Sequence, residues 1–212
     1  MAATEIGDAV HRALEAVPLS EPSPPARSEL DASVRAWYPT ATEGALDRIA
    51  DLVRAYCDSE LARRVAALAG VRPERPFAFE HDGVLLHGRL DVLWRDGIRA
   101  LVVDYKTNAL EGCDPVEVVD SEYVLQRLVY ALACLRDGAS EVEIVYQFLE
   151  RPNELVSAMF SENDVASLEA DLSGAIARIR AGDFRPTPGE FVCSDCPALD
   201  LVCAGPRLSL PR

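Results

Sequence analysis

Residues 101–110 read LVVDYKTNAL, an apolar run that closes on an acid, an aromatic and a lysine. Lys106 is the only lysine of the chain, although Lys and Arg together number 21 among 212 residues. Every other positive position is arginine, so a lysine here points to a need that arginine does not meet. Arginine keeps its proton and is planar and bulky, whereas lysine is a compact donor whose amine its surroundings can neutralise. The run reads as a strand, and strand alternation puts Asp104 and Lys106 on one face.

Upstream, GRLDVLW (88–94) reads as a second strand, joined to the first by the turn signal RDG. Pairing through so short a turn brings Asp91 and Asp104 to one end of a sheet. Two carboxylates and one amine then converge. Carboxylate oxygens suit hard cations such as Mg²⁺ and Mn²⁺, which acidify a bound water and polarise a phosphodiester. A bare D-x-K triplet recurs by chance, and on its own it would be an exposed pair of little energetic weight. Its neighbours decide the matter.

On either side the periodicity alternates between 3.6 and 2. Thr4 is placed to cap a helix carrying Ile6, Val10 and Leu14. SEPSPPARSE (20–29) reads as a linker. Helices are expected after Thr42 (Leu46, Ile49, Val53) and after Ser59 (Leu61, Val65, Leu68). Strands follow at 75–79, 84–94 and 98–105, separated by HDG and RDG. A helix is expected from Ser121 to about Leu135 by the spacing of Val124, Leu128, Ala131 and Leu135. EVEIVYQFLE sets Val142, Ile144, Tyr146 and Phe148 on one strand face, and LVSAMF supplies another strand. A Ser161/Asp164 capping pattern then opens a long amphipathic helix. That order predicts an α/β fold with a mixed central sheet flanked by helices. Residues 1–70 form its helical N-terminal part, 71–182 its core, and 183–212 an irregular Cys- and Pro-rich tail.

The net charge of −14 counts against a nucleic-acid surface built from basic residues. Phosphate could approach such a chain only where cations bridge it to carboxylates, or where a partner holds the strand. No apolar stretch approaches the roughly 20 residues a membrane span needs. The acidic N-terminal MAATEIGDAVHRALE is unlike a signal peptide, so a cytoplasmic protein is expected.

GDAVHRALE, PERPF, GRLD, VVDYK and QRLVY occur in that order along the chain. Together they resemble the PD-(D/E)xK nuclease superfamily, specifically the RecB-like nuclease domains of bacterial helicase–nucleases of the AddAB and RecB type. The resemblance implies a restriction-endonuclease-like core. It implies that His11, Asp91, Asp104 and the Tyr105 carbonyl hold one or two Mg²⁺ or Mn²⁺ ions, with Glu74 near the site. It also implies that Lys106 is the catalytic lysine, and that Gln126 and Tyr130 face the DNA and the site. Gln126 and Tyr130, as i, i+4 neighbours, could also simply hydrogen-bond each other. His81 and His87 match no motif. The implied function is metal-dependent DNA hydrolysis, by an exonuclease acting with a UvrD-like helicase on single-stranded DNA or duplex ends during double-strand-break processing. Two alternatives stay open: a non-catalytic DNA-binding or scaffold domain, and a stand-alone iron–sulfur exonuclease of the CRISPR-adaptation type.

The second alternative rests on Cys193, Cys196 and Cys203, a C-x2-C-x6-C arrangement. In some RecB-like nucleases a similar arrangement joins a distant upstream cysteine to hold a [4Fe–4S] cluster. Such clusters want four thiolates, and here no cysteine precedes Cys57. Cys57, Cys113 and Cys134 are the candidates for a fourth ligand. A cluster, a zinc ion and a metal-free turn all remain open. Visible absorbance with bound iron in anaerobically purified protein identifies the first, colourless protein with zinc the second, and metal-free protein the third.

Overall fold

The centre of the molecule is the strand 99–106. In the computed structural model, which describes residues 1–185 with Cys193, Cys196, Ala198 and Cys203, five strands form one sheet in the order β1-β2-β3-β4-β5. They are β1 (Arg72–His81), β2 (Val84–Asp96), β3 (Arg99–Lys106), β4 (Glu141–Phe148) and β5 (Leu155–Ser161). β3 and β4 run parallel, and every other neighbouring pair is antiparallel. The mixed α/β architecture expected from the sequence is the one observed.

Alternation along β3 divides the core in two. Leu101, Val103 and Tyr105 face helices α1 (Ala3–Ala16), α2 (Arg27–Trp37), α3 (Glu43–Cys57) and α4 (Glu60–Ala66). Ala100 and Val102 face α5 (Pro115–Glu122), α6 (Val124–Arg136) and α7 (Val165–Arg180). Val142, Ile144, Tyr146 and Phe148 of β4 join that second layer, as their period of two required. Because a parallel β3–β4 pair needs a long crossover, α5 and α6 are the segment forced to lie over the sheet. No described helix is long and apolar enough to cross a membrane.

Local chemistry accounts for most boundaries. Thr42 and Ser59 cap α3 and α4, accepting from Ala45 N–H at 3.3 Å and Ala62 N–H at 3.1 Å. Asp82 and Gly83, both at positive φ, make the tight β1–β2 turn. Ser161 N–H and Oγ both meet Asp164 Oδ2, at 2.7 and 2.9 Å, before α7 begins.

Three expectations need correction. Thr4 lies inside α1, which starts at Ala3; the Ala2 N–H is instead satisfied by Glu5 Oε2 at 2.7 Å. The linker at 20–29 is shorter than expected, because α2 begins at Arg27 and buries Leu30 and Val34. The helix expected from Ser121 is two helices, broken at Tyr123, and α5 starts where Asp114 caps Val116 N–H with Pro115 in the first position. Most of the tail beyond residue 185 lies outside the described residues.

Ser59 is 2% exposed and its hydroxyl is committed to the start of α4. Ser59→Ala should cost about 1 kcal/mol, read as a lower midpoint in urea unfolding with an unchanged slope.

Candidate active site

The sheet forks at Asp91. β2 pairs with β3 from Asp96↔Arg99 as far as Val92↔Val103, and pairing stops there. β3 continues beside β4 to Lys106↔Phe148, while β2 continues beside β1. Leu90 packs in one layer and Val92 in the other, although two residues of regular strand share a face. The chain therefore turns over at Asp91. Across the hairpin, Glu74 has left-handed backbone with φ 48° and drops out of the β1–β2 ladder between Pro73↔Val92 and Arg75↔Leu90. A non-glycine residue held there is strained, and such strain gathers at functional sites.

Asp91 fills the fork. Its Oδ2 accepts the Tyr105 backbone N–H at 2.8 Å, standing in for the strand partner that β2 no longer supplies. Its Oδ1 lies 3.3 Å from His11 Nδ1, carried in from α1 on the other layer. His11, Glu74 and Asp91 each offer a ligand atom within 4.8 Å of the others. Burial opposes the His11 imidazolium, but the hydrogen bond and charge of Asp91, with Asp104 and Glu74 beyond, raise its pKa. Burial, then Asp91 and Glu15, push the Glu74 carboxyl up. Two carboxylates and an imidazole crowded in this way are a donor set that suits Mn²⁺ or Mg²⁺.

Asp104 and Lys106 face α6. Lys106 is 8% and Asp104 2% exposed. Lys106 Nζ stands 2.6 Å from Asp104 Oδ2; the approach is short but badly angled, so that oxygen has a charge partner and no directed donor. Lys106 Nζ donates to Gln126 Oε1 at 2.9 Å, Gln126 Nε2 donates to Tyr130 OH at 2.9 Å, and Tyr130 OH donates to Asp104 Oδ1 at 3.1 Å. The four side chains close a ring. Burial raises the Asp104 carboxyl, the Lys106 ammonium pulls it down, and Asp91 pushes it up again.

Of the residues expected at the site, His11, Glu74 and Asp91 are gathered on one side of the fork, and Asp104, Lys106, Gln126 and Tyr130 on the other. Asp104 stands outside the three-residue group, its oxygens turned to Lys106 and Tyr130. Tyr105 contributes its N–H to Asp91, while its ring packs edge-on to Tyr56 at 4.7 Å. His81 lies elsewhere, its Nε2 2.8 Å from Ser173 Oγ. Two residues escaped the sequence reading. Arg89 pairs with Glu74 at 3.2 Å and its carbonyl oxygen lies 3.3 Å from Tyr130 OH; only its place inside GRLD hinted at this. Tyr123 covers the Lys106 amine.

No group of three metal donors that includes a cysteine occurs among the described residues. Cys193 is buried, Cys196 half-buried and Cys203 exposed. Burial pushes the Cys57 thiol up to about 11 and the Cys134 thiol up to about 12.

Residues 1–203 match the family model described as the PD-(D/E)XK nuclease superfamily. The chain belongs to that superfamily. The mixed sheet with helices on both faces is accordingly its restriction-endonuclease-like core, and the fork lies at the end of the strand that carries the D-x-K triplet. Among solved structures this PD-(D/E)XK chain is similar to one titled "Putative exonuclease" from Eubacterium rectale, with TM-score 0.52 at 14% identity, over 96% of this chain and 76% of that one. It is also similar to the crystal structure of SSO0001, with TM-score 0.46 at 16% identity, over 97% of this chain and 96% of that one. No curated protein matches the sequence significantly.

Asp91 has two separable tasks, holding Tyr105 N–H and presenting charge to His11. Asp91→Asn keeps an acceptor and should leave the melting temperature of metal-free protein nearly unchanged. It should remove most of the stabilisation that added Mn²⁺ gives the native chain. Asp91→Ala strands a buried N–H and should cost about 1–3 kcal/mol with or without metal. Thermal unfolding with and without Mn²⁺ reads both.

Proposed function

We propose that the chain is a divalent-metal-dependent deoxyribonuclease of the RecB-like branch, cutting phosphodiester bonds as an exonuclease in the cytoplasm. The observation that carries this reading is the fork, where anionic donors meet a single buried lysine. His11, Glu74 and Asp91 would hold the cation, while Asp104 stands with Lys106 and Tyr130 on the other side of the fork. A cation bound there supplies Lewis acidity toward the phosphodiester and acidifies water.

The chain's own residues do the rest. Lys106 brings an N–H donor to the attacking water, with its position set by Asp104 and Gln126. Tyr130 locks Asp104 through Oδ1, so the carboxylate and the amine keep one relative geometry. Arg89 is 60% exposed by side chain and sits beside Glu74, where a phosphate neutralised by metal could meet it. The acidic whole, at −14, supports a reading in which DNA is delivered by a partner, of which a UvrD-like helicase acting on broken ends is the proposed kind.

Wild-type chain should cut single-stranded DNA with Mg²⁺ or Mn²⁺ and leave it intact in EDTA. Asp104→Asn and Lys106→Met preserve side-chain volume, and each should lower the rate at least about a hundredfold while the circular dichroism spectrum stays native. Equal cleavage by either variant would remove the assignment.

A further inference from the structure

Tyr123 stands at the break between α5 and α6. Its N–H closes α5 on Val119 O at 3.2 Å, and its carbonyl opens α6 by accepting from Arg127 N–H at 2.8 Å. Its own backbone, at φ −112° and ψ 12°, belongs to neither helix. The break has a consequence for the side chain. The ring lies over Lys106 with the amine nitrogen 4.0 Å from its centroid. Tyr146 lies beside it on the side of the amine, ring centroids 5.7 Å apart at 26°, and its own centroid is 5.5 Å from the same nitrogen. The Tyr123 hydroxyl donates to Asn108 Oδ1 at 3.3 Å, tying the ring to the loop that leaves β3.

Lysine has a long, flexible stem that resists being held in one geometry. Asp104 and Gln126 restrain the Lys106 amine with polar contacts. Neither blocks the remaining side. An aromatic face does so with attraction as well as bulk, since the electron-rich ring draws an ammonium lying over it. An aliphatic side chain of similar size would fill the space and attract nothing.

We propose that Tyr123 is a positioning residue that, with Tyr146 beside it, seats the Lys106 amine against Asp104 and Gln126. The catalytic part of this rests on the nuclease reading above; the seat does not. Its test uses the fact that Lys106 is the only lysine in the chain. Protein labelled with ¹³C at the lysine Cε therefore gives a Cε resonance from one residue, and ring current should hold its protons upfield of the position of an exposed lysine.

Tyr123→Phe keeps the ring, and should leave the signal upfield and most of the turnover intact. Tyr123→Leu should return the signal toward the exposed position and lower kcat about tenfold, the loss expected for one partly desolvated cation–π contact, with KM little changed. Thermal unfolding of both variants shows whether either has lost its fold; an unfolded Leu variant is replaced by Tyr123→Met in the same comparison. A wild-type lysine signal at the exposed position, or one that Tyr123→Leu does not move, overturns the seat. A signal that moves while kcat holds overturns the positioning role. Wild-type protein that cuts no DNA sinks the nuclease reading instead, and the seat is then decided by the resonance alone.

Discussion

One hydrogen bond organises this molecule: the Tyr105 backbone N–H to the Asp91 carboxylate. A buried amide must find an acceptor, and at Tyr105 the neighbouring strand has already turned away. Because a side chain fills that role, β2 is free to leave β3 without leaving an orphan donor. The same side chain keeps a second oxygen for His11. Opening the sheet and assembling the anionic cluster are thus two results of one residue. The left-handed backbone at Glu74, on the facing strand, is the local strain that accompanies the divergence.

Beyond the fork, the ring of Lys106, Gln126, Tyr130 and Asp104 shows how an ion pair survives at this depth. Burying two charges is costly unless their remaining donors and acceptors are satisfied. Here α6 supplies one partner to each from one face, Gln126 to the amine and Tyr130 to Asp104 Oδ1, the two being one turn apart, and leaves Oδ2 to the charge of Lys106 alone. The two readings of that i, i+4 pair, as partners of each other and as residues facing the site, describe one arrangement. In a chain of net charge −14, the cations near the fork are few and individually committed, Lys106 to Asp104 and Arg89 to Glu74.

Elements whose boundaries have their own chemistry were legible in the sequence. Thr42, Ser59 and the Ser161/Asp164 pattern marked helix starts because a short oxygen-bearing side chain can satisfy a free N–H locally. Thr4 misled for the same reason, since Glu5 satisfies the Ala2 N–H first. α2 hid behind prolines because two buried apolar residues, Leu30 and Val34, are a weak periodic signal. The break at Tyr123 was invisible, because Val124, Leu128, Ala131 and Leu135 have the same spacing whether or not another helix precedes them.

The sequence by itself determined the period of each segment, the mixed sheet, and which residue types could meet a cation or serve as its lysine. Those properties follow from alternation, capping and side-chain chemistry, which act over a few residues. Only the tertiary structure decided that Glu74 joins His11 and Asp91, that Asp104 turns instead to Lys106 and Tyr130, and that Tyr123 covers the amine. Each depends on where strands stop pairing and where a crossover helix breaks. Such events are set by packing between segments far apart in the chain, which no local pattern records.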